Sequence, residues 1–347
     1  MDFDQLLTPH LSGLEETLLQ ATLRGSLGVA TDYAMTADAQ NAIGRNELGH
    51  MVAAHLATGG KRLRGLLPMA LVQAGAGPAE AALRLGAAIE MAHNGTLVHD
   101  DVQDGDRLRR GQPTLWTQVG LPQAINAGDA MLVAPLVWLL NSPHDQRQVG
   151  AQLAQLLGHA VVETIRGQVA DVGWRLVQRP TVEDLLGVHL AKTGPLFGVC
   201  LQGAAILLGL PVANQHTCQR AARHLGLAFQ VRDDLLDLIG KKGRGQPGAD
   251  LREGKLTVPA VLAAEQDTEG FSELLQRLTA ATDGAPLADA EVAQWVAWIG
   301  EHGGETAART LFDDELAAFE SLASSALGPG PAQVIGALAH RLGLLDG

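Results

Sequence analysis

Apolar residues recur every three to four positions along most of the chain, with good helix formers between them. This spacing puts the apolar side chains on one face of an α-helix. Runs of alternating β-branched residues are almost absent, so no strand is predicted. The pattern predicts long helical segments at residues 79–102, 122–140, 145–173, 182–208, 215–239 and 288–326.

Prolines and a polar loop separate these segments. The longest polar, glycine-rich stretch, residues 240–255, is interpreted as a functional loop because the helical pattern resumes on both sides. The whole chain, residues 1–347, is predicted to be a single all-α domain, a bundle of more than ten helices. Prolines at or near the ends of apolar segments are Pro78, Pro122, Pro143, Pro180, Pro211 and Pro259.

The composition is that of a globular protein, with 46% hydrophobic and 18% charged residues. The 38 acidic residues outnumber the 25 basic ones, and the net charge of −13 argues against nucleic acid as a partner. Cys200 and Cys218 form no metal-type pair and indicate reduced thiols in a cytoplasmic protein.

No signal peptide or integral membrane segment is predicted. The N-terminal residues carry acids and no basic start. The longest uncharged apolar run, residues 195–211, is shorter than the roughly 20 residues that a membrane span needs, and it contains Gln202. This run is predicted to be a buried core helix.

Two copies of the pattern Asp-Asp-x-x-Asp each come late in a long apolar helix, the first at Asp100 and the second at Asp233. Because positions i and i+4 share a helix face, Asp100 points the same way as Asp104, and Asp233 the same way as Asp237. Carboxylates at this spacing repel each other, and a hard cation such as Mg²⁺ removes the repulsion. One copy would suit an ordinary solvated helix end, whereas two copies favour metal binding.

Basic residues accompany the acidic ones. The stretch "TGGKRLRG" places Lys61, Arg62 and Arg64 after a Gly-Gly turn at a predicted helix start. Such a start is either an anion site, with free N–H groups beside cations, or simply a solvated basic end. It is not a P-loop, because the Walker spacing is absent. Since Mg²⁺ and arginine both bind pyrophosphate, acids and bases side by side indicate a diphosphate site. The first acidic motif is followed at once by Arg107, Arg109 and Arg110.

At these residues the chain resembles the trans-isoprenyl diphosphate synthases, also called polyprenyl synthases. The resemblance covers roughly residues 45–265 and implies an isoprenoid synthase class I-like fold, all-α around a central cavity. It also implies a homodimer that uses Mg²⁺, with three ions in each active site. The matching stretches, in the family's order, are "GGKRLRG", "HNGTLVHDDVQDGDRLRRGQPT", "AINAGDAML", "IRGQ..D", "AKTGPLF", "FQVRDDLLDLIG" and "GADLREGKLTVP".

The resemblance implies a role for each residue that matches a family motif. The metal ligands and their supporting carboxylates would be Asp100, Asp101, Asp104, Asp233, Asp234 and Asp237. The allylic diphosphate would be held by Arg109, Lys192 and Lys255. The diphosphate of isopentenyl diphosphate would be held by Lys61, Arg64, His93 and Arg110. The reacting carbons would be faced by Thr193 and Gln230, beside the catalytic Lys192. No role is assigned to Asp106 and Arg107.

The implied reaction is head-to-tail trans-prenyl transfer. Diphosphate leaves C1 of the allylic substrate, the double bond of isopentenyl diphosphate attacks the cation, and a proton is lost. Gly65 stands where the family usually has proline, and Gly194 where it commonly has alanine. Because neither change removes a charge, both are interpreted as tuning.

Product length in this family resembles a ruler set by residues one and two turns before the first aspartate. Gly95 cannot stop the growing chain as a bulky aromatic residue would, and only 3% of all residues are aromatic. We therefore expect a product of C20 or longer, with a short-chain farnesyl diphosphate synthase as the alternative. Close helix packing would also explain Gly95, and Met91 or a neighbouring helix could close the tunnel instead. The candidate chain-length positions are Gly95, Thr96, Met91 and Ala92.

Other functions fit the motifs less well. A terpene cyclase of the same fold typically has one aspartate-rich motif and lacks the isopentenyl diphosphate site. A non-catalytic partner subunit usually loses one of the aspartate motifs. A structural metal-binding bundle does not explain the basic cluster. The motifs alone do not separate head-to-tail condensation from an irregular head-to-middle coupling.

Overall fold

The computed structural model describes residues 2–23, 48–173, 180–241, 246–282 and 285–345. These ranges contain fifteen α-helices, a short 3₁₀ turn and one hairpin. The elements, in chain order, are α1 (Phe3–Leu23), α2 (Leu48–Leu56), α3 (Leu63–Ala74), α4 (Ala79–Asp104), β1 (Leu108–Arg109), β2 (Gln112–Pro113), α5 (Leu115–Val119), α6 (Leu121–Leu140), the 3₁₀ turn (His144–Gln146), α7 (Arg147–Gly173), α8 (Val182–Leu207), α9 (Val212–Leu238), α10 (Ala249–Arg252), α11 (Val258–Ala263), α12 (Thr268–Thr282), α13 (Asp289–Glu301), α14 (Gly304–Leu327) and α15 (Pro329–Gly343).

The chain divides into two compact units. Unit 1 comprises Met1–Val161, Val199–His216 and Leu327–Val334. Unit 2 comprises Val162–Gly198, Thr217–Ala326 and Ile335–Gly347. The all-α class is confirmed, whereas the single domain over residues 1–347 and its central cavity stay predictions.

Helix α4 is packed against α3 and α6 within unit 1. Every residue from Leu85 to Ala92 is buried, while the last two turns of the helix carry the first aspartate motif. Gly105 ends the helix in the left-handed conformation, at φ +70°. The N–H of Asp106 then donates to the carbonyl of Asp101 at 2.9 Å, as in a glycine C-terminal cap. This cap fixes where the chain leaves the helix.

A short antiparallel hairpin, β1 and β2, follows α4. Its turn residues, Arg110 and Gly111, have φ values of +53° and +76°, the geometry of a tight two-residue hairpin turn. The prediction of no strand was therefore wrong at this one place. Two-residue strands are too short for an alternating pattern to appear in the sequence.

The predicted helical segments are confirmed, with one division. The segment 288–326 is split into α13 and α14 by Gly303, at φ +72°. Pro122 and Pro259 lie in the first turns of α6 and α11, where a missing N–H costs no helical hydrogen bond. Part of the predicted loop 240–255, residues 242–245, lies outside the described residues.

Two described helices, α6 and α8, are long and apolar enough to cross a membrane by length and composition. The apolar window of α8 is 72% buried, which fits the predicted core helix. The window of α6 is 44% buried. Core helices of soluble proteins pass the same test, so the expected lack of a membrane segment stays a prediction.

Candidate active site

The basic turn of unit 1, residues 58–65, leads into the first turn of α3 and is built on two glycines. Gly59 and Gly60 have φ values of +81° and +136°, which favour glycine. A Cβ on Gly60 would lie 2.7 Å from Nη1 of Arg110, so a side chain there would displace this guanidinium. Nη1 of Arg110 also donates to the carbonyl of Gly59. The turn and the hairpin are therefore in direct contact, with Lys61 exposed beside them.

Arg64, near the end of this turn, contacts His93 on α4. Nη1 of Arg64 lies 3.3 Å from Nε2 of His93. Burial, with the charges of Arg64 and Arg110, holds the pKa of His93 well below its ordinary value. Neutral His93 can therefore accept from Arg64 at Nε2 while Nδ1 carries the proton. Arg64, His93 and Arg110, three of the four residues predicted to bind isopentenyl diphosphate, therefore lie close together.

The aspartates of the first motif have different environments. Asp100 is partly exposed and Asp104 is exposed, at the end of α4. Asp101 is buried, and its Oδ1 accepts from Nε and Nη2 of Arg109 at 2.7 and 2.6 Å. Burial raises the pKa of Asp101, and the hydrogen bond from Arg109 opposes this rise. Asp100 and Asp104 are therefore the accessible carboxylates of the motif, and Asp101 fixes Arg109.

Asp106 and Arg107, which the sequence left without a role, build the hairpin. The carbonyl of Asp106 accepts from Oγ1 of Thr114 at 2.8 Å and from Nε1 of Trp116 at 2.7 Å. The guanidinium of Arg107 lies over the ring of Trp116, 5.5 Å from its centroid, a cation–π contact. These contacts hold the hairpin against α5 and thereby place its two arginines.

In unit 2, Lys192 is placed by a close approach of α7 and α8. A Cβ on Gly167 would collide with the backbone nitrogen of Lys192, so glycine is required for this approach. One turn further along α7, Oδ2 of Asp171 accepts from Nζ of Lys192 at 2.8 Å. The "IRGQ..D" stretch therefore supplies both the gap and the partner of this lysine.

Thr193 and Gln230 meet where α8 and α9 touch within unit 2. A Cβ on Gly226 would lie 2.7 Å from Cα of Gly194, so the two glycines bring the helix backbones together. Oγ1 of Thr193 donates to Oε1 of Gln230 at 3.0 Å. The two residues predicted to face the reacting carbons are therefore adjacent, next to Lys192 in the chain.

The second aspartate motif presents one carboxylate and uses the other two internally. Asp233 is partly exposed, whereas Asp234 and Asp237 are buried. Oδ2 of Asp234 accepts from the N–H of Val258 at 2.8 Å, and Oδ2 of Asp237 accepts from the N–H of Asp250 at 3.0 Å. These bonds tie the end of α9 to the first turns of α11 and α10, on either side of Lys255, which is partly exposed and 3.1 Å from Glu253.

The acidic side chains fit a metal that arrives with its substrate. Among the described residues, no group of three or more His, Cys, Asp or Glu side chains could hold a metal ion. Mg²⁺ usually takes one or two carboxylates and completes its shell with water and substrate phosphates. The accessible oxygens of Asp100, Asp104 and Asp233 suit this mode of binding.

The chain matches the polyprenyl synthetase family over residues 45–294. It belongs to this family. The farnesyl diphosphate synthase of Bacillus subtilis (strain 168) is 35% identical over 218 residues, which cover 60% of this chain and 73% of that protein. The geranylgeranyl diphosphate synthase of Mycobacterium tuberculosis (strain ATCC 25618 / H37Rv) is 34% identical over 261 residues, covering 75% and 73%.

The fold of this chain matches a solved structure over almost the whole length of both proteins. The polyprenyl synthetase from Streptomyces coelicolor A3(2) is 27% identical, with a TM-score of 0.83 over 98% of this chain and 99% of that one. The chain is thus a polyprenyl diphosphate synthase, a head-to-tail trans-prenyltransferase of isoprenoid biosynthesis. The polyprenyl synthase from Caulobacter crescentus CB15, which is 23% identical with a TM-score of 0.76 over 98% of this chain and 96% of that one, was solved in complex with calcium and isoprenyl diphosphate.

The chain-length positions of this polyprenyl synthetase differ in their surroundings. A Cβ on Gly95 would lie 2.9 Å from Cβ of Met131 on α6, so Gly95 permits close helix packing. Met91 and Ala92 are buried, whereas Thr96 is partly exposed. A cavity of about 130 Å³ in unit 1 is lined by none of these four residues. The influence of these four positions on product length stays a prediction.

The buried residues that the sequence patterns did not single out as site residues include His55, Glu90 and His189. Nε2 of His189 lies 3.6 Å from Oδ2 of Asp234. Glu90 and His189 each precede a predicted site residue by three positions in the same helix, which puts them on a shared face. This spacing is the sequence signal that could have indicated Glu90 and His189. No comparable signal pointed to His55.

Proposed function

We propose that this polyprenyl diphosphate synthase condenses isopentenyl diphosphate with an allylic diphosphate to give an all-trans product of C20 or longer. The supporting observation is that α4 carries both kinds of group that a diphosphate needs. Its end presents the carboxylates of Asp100 and Asp104, and His93 two turns earlier contacts Arg64. A terpene cyclase needs no second, metal-independent anion site of this kind.

The proposed substrate contacts follow from charge and exposure. Lys61, Arg64 and Arg110 bind the diphosphate of isopentenyl diphosphate, and neutral His93 adds a hydrogen bond. Arg109, Lys192 and Lys255 bind the allylic diphosphate. Their positive charges stabilise the negative charge that grows on this diphosphate as its bond to C1 breaks.

Magnesium is the proposed metal, with three ions in each active site. Asp100 and Asp104 would ligate Mg²⁺ in unit 1, and Asp233 in unit 2. Asp101, Asp234 and Asp237 support the ligands, consistent with their burial and internal bonds. The ions supply charge neutralisation for the leaving diphosphate.

The carbon chemistry needs few further protein groups. The double bond of isopentenyl diphosphate attacks C1 of the allylic cation, one C–C bond forms, and a proton passes to the departing diphosphate. The hydroxyl of Thr193 and the amide of Gln230, held 3.0 Å apart, would orient their dipoles toward the cation. Apolar surroundings exclude water that would otherwise quench it.

The proposed product length rests on the small residues before Asp100. Members of the family are named for products from farnesyl, C15, to decaprenyl, C50. No bulky aromatic residue occupies position 95, and a long product is therefore favoured over farnesyl diphosphate. Met131, which packs against Gly95, is the side chain of a neighbouring helix best placed to limit the chain.

We also propose that the enzyme is a cytoplasmic homodimer. Helix α6 exposes an apolar stripe that its own unit leaves uncovered, and a second copy of this chain would cover it. The stripe has two parts, on either side of the exposed Asp129. They consist of Leu121 and Ile125, exposed by 49% and 38%, and of Val133, Val137 and Leu140, exposed by 57%, 42% and 51%.

The direct test is a condensation assay. The protein is incubated with Mg²⁺, isopentenyl diphosphate and, separately, dimethylallyl, geranyl or farnesyl diphosphate, and the products are sized. We expect elongation to C20 or beyond, and none after the metal is removed with a chelator. Failure to elongate any primer would contradict the proposed function, and a predominant C15 product would contradict the proposed length.

A further inference from the structure

A buried carboxylate, Glu90, lies beneath the basic turn of unit 1 and has no part in the contacts proposed above. We propose that Glu90 is a positioning residue for isopentenyl diphosphate. It fixes the turn that carries Lys61 and Arg64 by holding Arg62 and the N–H of Gly65. This inference rests on the proposed binding of isopentenyl diphosphate at the turn.

Arg62 lies in the basic turn but does not bind substrate. Its side chain is buried, and all of its guanidinium nitrogens are used inside unit 1. Nε donates to Glu15 at 2.8 Å, Nη1 to Glu90 at 3.3 Å, and Nη2 to the carbonyl of Leu56 at 2.5 Å. Arg62 also has φ +48°, a conformation that is unfavourable for a non-glycine residue and must be held by such contacts. The inward turn of Arg62 leaves Lys61 and Arg64, on either side of it, available to a ligand.

The other carboxylate oxygen of Glu90 holds the backbone of the basic turn. Oε2 accepts from the N–H of Gly65 at 3.1 Å. This N–H lies in the first turn of α3, where the helix itself offers no acceptor. Nδ2 of Asn94 donates to Oε1 of Glu90 at 3.1 Å and so fixes the carboxylate. Glu90, which is 4% exposed, lies on α4 and accepts from Arg62 and Gly65 at the start of α3. It therefore joins the two helices.

The contact with Glu90 gives a physical reason for glycine, and not the family's usual proline, at position 65. Proline has no N–H and could not donate to Glu90. A Cβ at position 65 would lie 3.1 Å from Cβ of Glu90 and 2.8 Å from Cδ2 of Leu14. A Cβ on Gly86 would collide with the carbonyl of Gly65. The two helices thus meet backbone to backbone, and the departure from the family pattern gives Glu90 one more donor.

Glu90 also fixes the relative positions of Arg64 and His93, two residues proposed to bind isopentenyl diphosphate. Arg64 follows Arg62 on the turn, and His93 follows Glu90 by one helical turn on α4. The contact between Arg64 and His93 at 3.3 Å therefore depends on the same junction. A buried ion pair contributes little net stability on average, whereas these fixed bonds define where the cations point.

The test is Glu90→Gln in the full-length enzyme, which preserves volume but places an amide N–H₂ against Arg62 or Gly65. Steady-state assays with Mg²⁺ give KM for each substrate and kcat. We expect KM for isopentenyl diphosphate to rise about tenfold or more, the size expected for one lost charged hydrogen bond. KM for the allylic substrate and kcat should stay within about twofold of wild type. A merely structural loss would instead lower kcat or the melting temperature and leave both KM values alone.

Glu291→Gln is the matched control. It removes a carboxylate of unit 2 that pairs with Arg277, and it should leave both KM values unchanged. Isopentenyl diphosphate binding is also measured by calorimetry without metal, which needs no catalysis. If the wild-type chain binds isopentenyl diphosphate but forms no product, the proposed function fails and the positioning role is still tested by the affinity of Glu90→Gln.

A second pair of variants covers the case in which Glu90→Gln does not fold. Gly65→Ala and Gly65→Pro both add a Cβ, but only proline removes the N–H donor. We expect Gly65→Pro to weaken isopentenyl diphosphate binding at least about threefold more than Gly65→Ala. Equal binding by these two variants, or an unchanged KM in a folded Glu90→Gln enzyme, would overturn the proposal.

Discussion

At the scale of single residues, the candidate site of unit 1 depends on histidines that stay neutral among arginines. Burial, with Arg109 and Arg110, lowers the pKa of His55 to about 4. His93 is shifted in the same direction by burial and Arg64. Each ring can therefore lie close to guanidinium groups without adding a further positive charge, which leaves the arginines available to an anion.

This shift predicts a pH dependence of stability. Between pH 6.5 and about 4, the unfolded chain protonates His55 and the folded chain does not, so acid favours unfolding. The stability contributed by neutral His55 is complete above pH 6.5 and is lost as the pH falls toward 4. We expect the melting temperature of His55→Gln to fall less than that of wild type over this range. Because His93 is still present in this variant, the dependence of its melting temperature on pH should become weaker but should not disappear. The same dependence on pH in both proteins would contradict the assignment of this effect to His55.

At the scale of helices, glycines at crossing points decide which site residues meet. Gly167 lets α7 reach the backbone of α8 at Lys192, and Gly226 lets α9 reach α8 at Gly194. Each crossing is followed within about one turn by a site contact, Asp171 with Lys192 and Thr193 with Gln230. The helix packing and the site geometry therefore have the same cause.

The two glycines of the α8–α9 crossing should differ in their tolerance. A Cβ on Gly226 would meet the backbone of Gly194, whereas a Cβ on Gly194 would meet the end of the flexible Leu190 side chain at 2.9 Å. Gly226→Ala should separate Thr193 from Gln230 and lower kcat about tenfold or more, with a cost of about 1–3 kcal/mol in stability from overpacking.

Gly194→Ala is the matched variant and should keep kcat within about threefold, because Leu190 can change rotamer at small cost. Both variants are compared by steady-state kinetics and thermal unfolding. Equal losses of kcat in the two variants would show that the crossing at Gly226 does not set the Thr193–Gln230 contact.

At the scale of the whole molecule, the exposed stripe of α6 needs an explanation. Large apolar side chains that are exposed together usually mark an interaction surface. The stripe supports the proposed homodimer, in which a second copy buries it. A membrane is the other surface that such a helix could contact.

Val133→Lys places a charge at the most exposed position of the stripe, 57% exposed. We expect wild type to have twice the chain mass of 36.3 kDa by size exclusion with light scattering, and Val133→Lys to shift toward the monomer. Val212→Lys, at a 62% exposed position on α9, controls for a general effect of charge and should remain dimeric. A monomeric wild type that sediments with lipid vesicles would favour the membrane over the dimer.

The sequence predicted the all-α class, most helix positions and the residues of each motif, because helical periodicity and motif spacing are local properties. It did not predict the break at Gly303 or the hairpin after α4, where one or two residues in left-handed conformations redirect the chain. It also did not indicate Glu90, which contacts Arg62 across 28 sequence positions.

What the sequence determined by itself is the chemistry: two aspartate motifs, the basic turn and the lysine-threonine pair, each encoded within a few residues. The tertiary structure decided which of these groups are accessible. It buries Asp101, Asp234 and Asp237 and directs Arg62 inward. The physical reason is that spacing along one helix fixes only which side chains share a face. Whether that face meets solvent, another backbone or a buried charge depends on how helices far apart in the chain pack together.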